Sequence, residues 1–515
     1  MTSYLYMFKA SGLQRYIFAT QPLLEAIGAS QLLIDLTEEH LARALDAAEA
    51  SDHQTSVQRA AGLAILEFDD REALERFYAI WPLVVSKLAP GLEIDQWCAE
   101  RRPGKLFEDL QRGWNALRHR RNVKMSPLPE IAPVVRRSTM SGEGAVGPHP
   151  KTSAEVADAA SIRKIQVADD SDGSAAGVHP EDVNTDWAGH CWAKDLSQIS
   201  RGENSFLAVV HADGNRIGSF LIEVARAIGE SDLPDSEVAN FYRQFSTRLN
   251  RATKRAVASS LKDIEAIPAR GEAPIIPARP VVVGGDDVTL VLPADKAMEV
   301  TERFLRRFME ETADMLRELN AGMGDFALLE QVRRTHFTAC AGVVFHKQKY
   351  PLLQGYEHAE ALCSFAKNEG ADDRGNTVSS LLFTRLLDSD RSDHDLRRAQ
   401  NFVDSSSGIR ICAGPYAVDN DGSGLISLEA LRAVKAGLVR EDLSRNTARE
   451  IIDHLHSDKV NAEQAFERAE VVGGSRVRRF AKTLRAAREM RDDDREFHNL
   501  STLPDAAILE KMETQ

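Results

Sequence analysis

Apolar and polar positions fall in blocks along this chain that predict strands alternating with helices. Residues 4–10 (YLYMFKA) form an apolar and aromatic run closed by Ser11-Gly12, which predicts a strand and then a turn. Helical periodicity follows over residues 22–50. A second apolar run, 62–68 (GLAILEF), predicts another strand, residues 70–88 a helix, and 91–96 a third strand. Strand–helix–strand–helix–strand suits a ferredoxin-like unit.

The pattern repeats further on. Residues 206–212 (FLAVVHA) read as a buried strand, and 236–261 as a helix. Two β-branched runs, 280–283 and 288–292, flank Gly284-Gly285-Asp286-Asp287, which predicts a hairpin with a tight glycine-containing turn. A long helix is expected over 294–319, a strand over 336–345, a helix over 356–368 and a strand within 377–383. This is again a βαββαβ order, with extra helix inserted. The expected fold is therefore α+β, with two ferredoxin-like palm domains and a C-terminal helical domain. The expected boundaries are 1–140 for the first palm, 141–200 for a mobile linker, 201–385 for the second palm and 386–515 for the helical domain. The linker expectation rests on the Gly-, Ala-, Ser- and Asp-rich composition of residues 141–186.

Length and composition narrow the class. The 515 residues suffice for several domains. The N-terminus has no basic region followed by a long apolar run, so no secretory signal is expected, and no window is apolar enough to span a membrane. Five widely spaced cysteines without a CxxC pair argue against a disulfide framework or a zinc finger and fit a reducing cytoplasm. A net charge of −14 argues against a chain that coats nucleic acid. Basic clusters at 101–124 and 476–491 read first as solvated helix faces.

Candidate chemistry sits at two places. Asp213 directly follows a buried strand, in Ala212-Asp213-Gly214-Asn215-Arg216-Ile217-Gly218, and a carboxylate there is costly unless something satisfies it. Gly214 allows a sharp turn, Gly218 a close approach, and a helix starting near Ile217 offers N–H groups to phosphate. Asp286 and Asp287 stand at the hairpin tip, where Gly284 and Gly285 leave the backbone bare for a nucleotide. Alone, Asp213 reads as a helix N-cap and GGDD as a type I′ turn. Together, within one βαββαβ unit, three converging carboxylates call for cations, and Mg2+ (or Mn2+) suits oxygen ligands that leave room for triphosphate.

Four segments carry a resemblance. Ser11-Gly12-Leu13-Gln14-Arg15-Tyr16-Ile17-Phe18 with Gly28-Ala29-Ser30-Gln31-Leu32-Leu33 resembles the opening of the first palm in the CRISPR polymerase family, the large palm subunits of type III CRISPR effector complexes. Ala212–Gly218 resembles its ADGN..G segment, and Gly284–Asp287 its GGDD. Cys340-Ala341-Gly342-Val343-Val344, with Ala359-Glu360-Ala361-Leu362 and Ala366-Lys367, resembles the end of its palm. Ala413-Gly414-Pro415-Tyr416 is similar to its C-terminal region. GGDEF cyclases are more distantly similar.

The resemblance implies binding of ATP at the second palm and its conversion to cyclic oligoadenylates with release of pyrophosphate. It implies Asp213 and Asp286 as metal ligands and Asp287 as a ligand or a positioner of the attacking hydroxyl. Gly214, Asn215, Gly218, Gly284 and Gly285 would lie against nucleotide. Lys367 would contact the triphosphate; as a lone residue it reads equally as a helix-end lysine with a solvated head. Implied partners are ATP, RNA and other defence-complex subunits, and a homodimer is compatible. No His-Asp pair near the N-terminus marks a nuclease domain, and no acidic pair stands at a turn in the first palm. The first palm is therefore expected to be structural or to supply half of a nucleotide pocket. A nucleotide-binding scaffold subunit and a GTP-using cyclic dinucleotide synthase remain the alternatives.

Two further features read as decoys. The segment from Asp419 to Glu429 resembles a calcium loop but places its glutamate one position early, and it reads as a turn capping the next helix. The scattered histidines have no metal-ligand spacing.

Overall fold

The structure is a computed structural model. It describes residues 2–60, 62–122, 135–152, 154–170, 174–200, 205–229, 233–268, 273–322, 335–371, 377–386, 413–419, 424–457, 459–488 and 500–513. The chain divides into two compact units, one of Met1–Asp195, Arg216–Val288 and Glu310–Phe337, the other of Leu196–Asn215, Thr289–Met309 and Thr338–Gln515. The division does not follow the boundaries expected at residues 140, 200 and 385.

The first unit opens with a four-stranded antiparallel sheet. Its strands are β1 (Tyr4–Ser11), β2 (Gln54–Ala60), β3 (Leu63–Phe68) and β4 (Glu93–Glu100), in the order β2-β3-β1-β4. The helix expected over 22–50 breaks at Glu38 into α1 (Leu23–Thr37) and α2 (Glu39–Ala47). Helix α3 (Arg71–Leu88) connects β3 to β4. The sequence reading missed β2. Its residues, QTSVQRA, are mostly polar, and only Val57 is buried, as an edge strand allows. Strand β1 and α3 enclose an aromatic core in which Tyr6 meets Phe77 edge-on at 5.1 Å and Phe8 meets Trp81 at 5.1 Å. Asp70 caps α3 by accepting the Ala73 N–H at 2.8 Å, so one acid of the Asp69-Asp70 pair serves the helix start.

The expected linker contains a packed helix. In α5 (Ala159–Asp170), which follows α4 (Leu106–Asn122), Ile165, Val167 and Ala168 are buried. The helix crosses α1 at Gly28, where an added Cβ would lie 1.8 Å from the Lys164 carbonyl oxygen. Lys164 is only 2% exposed, donates to the Tyr16 carbonyl at 2.6 Å and lies 4.2 Å over the Tyr16 ring. Burial pulls its ammonium down to a pKa of about 8. Small, polar composition concealed this helix because its buried face is short.

Part of the basic cluster at 101–124 is engaged in the fold. Arg101 pairs with Glu67 and Asp235, each at 2.5 Å, and Arg102 and Arg112 share the buried Asp109. The same unit continues through α6 (Ile217–Gly229) and the long α7 (Asp235–Leu261).

The second unit is built on β5 (Phe206–Gly214), whose residues are almost all buried. Before α8 (Ala294–Gly322) comes a hairpin of β6 (Arg279–Gly284), which with the turn belongs to the first unit, and β7 (Asp287–Pro293), which from Thr289 on belongs to the second. Then follow β8 (Ala339–Lys347), α9 (Leu352–Glu369) and β9 (Ser380–Arg385). Strands run in the order β7-β5-β8-β9-β10-β11, where β10 is Tyr416–Ala417 and β11 is Ile426–Ser427. Strand β8 is antiparallel to β5 and parallel to β9. The extended piece expected near 409–418 thus joins the sheet through β10. Helices α10 (Leu428–Val439), α11 (Arg445–Ser457), α12 (Lys459–Val472), α13 (Gly474–Arg488) and α14 (Thr502–Glu513) complete this unit. Asp505 on α14 accepts from the Tyr416 hydroxyl and, at 3.3 Å, from the Ala413 N–H. Residues 420–423 of the calcium-loop-like segment lie outside the described residues. Ser427 caps the helix after it, accepting the Ala430 N–H at 3.2 Å. Among the described residues no helix is long and apolar enough to cross a membrane.

Candidate functional site

Asp213 ends β5. Apolar residues carry the strand through the sheet, and the first carboxylate comes where the strand leaves it. The register with β8 sets Asp213 opposite Cys340 and His211 opposite Gly342. Gly342 lets α9 lie directly on β8, since an added Cβ would sit 2.0 Å from the Ala359 carbonyl oxygen. Cys363 locks that contact by donating its thiol to the Cys340 carbonyl at 3.1 Å. One helical turn later Lys367 reaches back to the strand end. Its ammonium pairs with the Asp213 carboxylate and donates to the Gly214 carbonyl at 3.0 Å. Both partners keep a solvated side, with 25% of the lysine and 32% of the aspartate side chain exposed.

Asn215 is 3% exposed, and its amide N–H groups are spent within the unit. They donate to the Thr338 hydroxyl at 3.0 Å, the Cys340 sulfur at 3.4 Å and the Val378 carbonyl at 3.4 Å. Through these bonds Asn215 holds β8 and the segment leading into β9, while its side-chain carbonyl oxygen is buried without a hydrogen-bond partner. The sharp turn expected at Gly214 occurs instead at Arg216, which takes φ 59. Gly218 faces open space. His211 is buried, with Nδ1 at 3.2 Å from the Thr289 hydroxyl. Burial lowers its pKa to about 4, against a small opposing pull from Asp213.

The GGDD segment occupies the other unit's hairpin. The two-residue turn is Gly285-Asp286, and Asp287 begins β7. Gly285 has φ 61 while Asp286 does not enter the left-handed region, so the turn differs from type I′, which needs both. Helix α7 supports it: the buried Thr253 hydroxyl donates to the Gly285 carbonyl at 2.5 Å. Gly284, Gly285 and Asp286 border a cavity of about 660 Å³ within the first unit. Its walls include Arg59 of β2 and Tyr242, Asn250 and Lys254 of α7. That volume lies in the roughly 300–1,000 Å³ range of small-molecule sites. Burial lowers the Arg59 pKa. The sequence reading missed these wall residues, although Tyr242, Ser246, Asn250 and Lys254 recur every four positions on one helix face.

Among the described residues, no group of three or more His, Cys, Asp or Glu side chains is placed to hold a metal ion. Asp213 is engaged by Lys367 in the second unit, and Asp286 borders the cavity in the first. Carboxylate oxygens with a solvated side are the donors magnesium takes, so the donor chemistry fits that ion in kind. Among the described residues the free cysteines are Cys98, Cys191, Cys340 and Cys363.

Residues 206–375 match the family model of the Cas10/Cmr2 second palm domain. That span starts with β5 and contains Asp213, Gly284–Asp287 and Lys367, so all the residues singled out for the second palm fall within the match. A search of curated proteins by sequence finds no match. Among solved structures, the chain is similar to Csm1 of T. onnurineus at 14% identity and TM-score 0.49, covering 99% of this chain and 70% of that one. It is also similar to a Csm1–Csm4 cassette in complex with cA4, at 13% identity and TM-score 0.47 with the same coverage. A cassette in complex with AMPPNP gives 13% identity and TM-score 0.47, covering 100% of this chain and 70% of that one.

Proposed function

We propose that this chain is a metal-dependent nucleotidyltransferase that joins AMP units from ATP into cyclic oligoadenylate-type second messengers for antiviral defence. The observation that supports it most is the GGDD turn. It stands inside the stretch that matches the Cas10/Cmr2 second palm, is bent by Gly285, and presents Asp286 to a cavity of nucleotide size.

In this reading Asp213, Asp286 and Asp287 hold Mg2+ or Mn2+. The ions, when bound, make a ribose hydroxyl more acidic and stabilise the leaving pyrophosphate. The chain's own groups do the positioning. Lys367 exchanges the Asp213 carboxylate for a phosphate oxygen, and the bare backbone at Gly284 and Gly285 lets the nucleotide lie close. Arg59 and Lys254 bring positive charge to the cavity wall. The N-terminal sheet, with its β2-β3-β1-β4 order, is a second ferredoxin-like palm without an acidic hairpin, and it contributes wall residues rather than catalysis. The partners of this reading are ATP, RNA and other subunits of a type III CRISPR-like complex.

The test is incubation of the full chain with labelled ATP or GTP and magnesium, with and without RNA, and identification of products by mass spectrometry. ATP-derived oligonucleotide and pyrophosphate are expected. Nucleotide binding without turnover would favour a scaffold subunit, and GTP-derived dinucleotide would favour the cyclic dinucleotide alternative.

A further inference from the structure

The first unit holds a second cavity, of about 500 Å³, beside the one at the GGDD turn. Thr247, Asn250 and Lys254 of α7 border both cavities, while Arg251 and Arg255 border only the second. Positions 251, 254 and 255 fall within about one turn of the helix, so three cations stand on one wall.

The opposite wall is a tight turn. Ala175 and Val178 exchange both backbone N–H···O bonds at 2.9 Å across a two-residue loop, Ala176-Gly177, with φ 51 and 72. Both central residues are left-handed, as in a type I′ turn, and Ala176 is strained there because its Cβ crowds the backbone. The fold anchors this turn. Arg279, 3% exposed, donates to the Ser174 carbonyl at 3.3 Å, and the buried Trp192 indole donates to the Val178 carbonyl at 3.1 Å. Lys254 lies against the anchored turn. A Cβ added at Gly177 would be 2.4 Å from the lysine Nζ, which puts the ammonium at the second cavity.

Lys254 is half-buried, and among the described residues no carboxylate or carbonyl holds its ammonium. A partly desolvated charge without a partner is a cost that an anion removes. The single acid in the cavity wall, Asp182, accepts the His179 N–H at 3.1 Å. Arg251 pairs with Glu318 at 2.6 Å and Arg255 with Glu311 at 3.8 Å, but the two arginine side chains are 49% and 57% exposed. Such surface pairs are weak enough to be exchanged for a multiply charged anion. The lining has no aromatic ring on which a base could stack. The volume is that of a small-molecule site, and three cations suit the several charged oxygens of a di- or triphosphate group.

We propose that this second cavity binds a di- or triphosphate group, free as pyrophosphate or carried by a nucleotide, through Lys254, Arg251 and Arg255. The site stands without the ATP reading. That reading gives it a supply, since pyrophosphate would be released in the neighbouring cavity and Lys254 borders both.

The test is equilibrium binding of pyrophosphate and of ATP to the full chain, with EDTA present so that no divalent ion bridges anion and carboxylate. The wild-type chain should bind pyrophosphate saturably. Lys254→Met and the Arg251→Gln, Arg255→Gln double variant should each weaken binding by about tenfold or more, the loss of charge-assisted phosphate contacts. Arg59→Gln, which alters only the GGDD cavity, should bind as the wild type does. Arg255→Gln alone, whose pair with Glu311 is long, is the variant least coupled to the fold and should also weaken binding. Pyrophosphate bound more tightly than ATP identifies the free anion as the ligand, and ATP bound as tightly or more tightly identifies the nucleotide. No saturable pyrophosphate binding by the wild-type chain overturns the proposal. So does unchanged affinity in the arginine variants, or affinity lost in Arg59→Gln instead, which would put the anion in the GGDD cavity. ATP turnover is read separately, so a chain that binds pyrophosphate here without consuming ATP sinks only the ATP reading.

Discussion

The ammonium of Lys367 bridges the Asp213 carboxylate and, at 3.0 Å, the Gly214 carbonyl, joining the last turns of α9 to the end of β5. The pair retains a solvated side, so its contribution to stability is small, within about 1 kcal/mol. Lys367→Met should therefore shift thermal unfolding little, yet lower ATP turnover by at least about tenfold, the loss of one charge-assisted phosphate contact. Steady-state pyrophosphate release beside a melting curve checks this. Equal loss in stability and activity would make Lys367 a structural residue only.

The site lysine reaches its place because Gly342 lets α9 settle on β8. Gly342→Ala would push a methyl to 2.0 Å from the Ala359 carbonyl oxygen, with backbone on both sides. We expect a loss of about 3 kcal/mol in urea unfolding, the upper end of overpacking costs. A neutral result would mean that the helix can lift from the strand.

The two glycines of the turn separate fold from ligand. Gly285 takes φ 61, so Gly285→Ala should cost about 1–2 kcal/mol. Gly284 has neither a left-handed backbone nor any atom within 4 Å of an added Cβ, so Gly284→Ala should leave stability unchanged. If nucleotide lies against that backbone, Gly284→Ala lowers ATP affinity all the same. Chemical unfolding and equilibrium binding on both variants check the contrast.

Much of this arrangement was legible in the sequence. The Asp213 strand end and the GGDD hairpin carried strong local signals, an uninterrupted apolar run before an acid and paired glycines between β-branched runs, whereas Lys367 was singled out only by the resemblance at Ala366-Lys367. What stayed hidden had weak local signals. Strand β2 is polar because it lies at a sheet edge, and α5 is small and polar because its contact is a close crossing at Gly28. The amide N–H groups of Asn215 are bound to Thr338, Cys340 and Val378, which lie more than a hundred residues away and which no local pattern links to it. The α7 wall shows itself only once that helix is known to border the turn.

His211 gives the account a pH signature. Burial holds its folded pKa at about 4, below the ordinary 6.5, so the folded state binds fewer protons in that interval. Its contribution to stability is fully present above pH 6.5 and is lost as the pH falls toward about 4. Stability measured by urea unfolding from pH 7 to 4 should fall, and His211→Gln should reduce that slope by about one proton. His346, likewise lowered to about 4 by burial, accounts for part of the remainder. An identical slope in wild type and His211→Gln would contradict the buried neutral imidazole.

The most direct test of the central claim is pyrophosphate release from ATP by the full chain, with magnesium and with RNA, compared with the Asp286→Ala, Asp287→Ala double variant. The account predicts magnesium-dependent release accompanied by oligoadenylate, abolished by EDTA and reduced at least a thousandfold, about 4 kcal/mol, in the double variant. Release that is unchanged in the double variant, or no oligoadenylate under any condition, would contradict it.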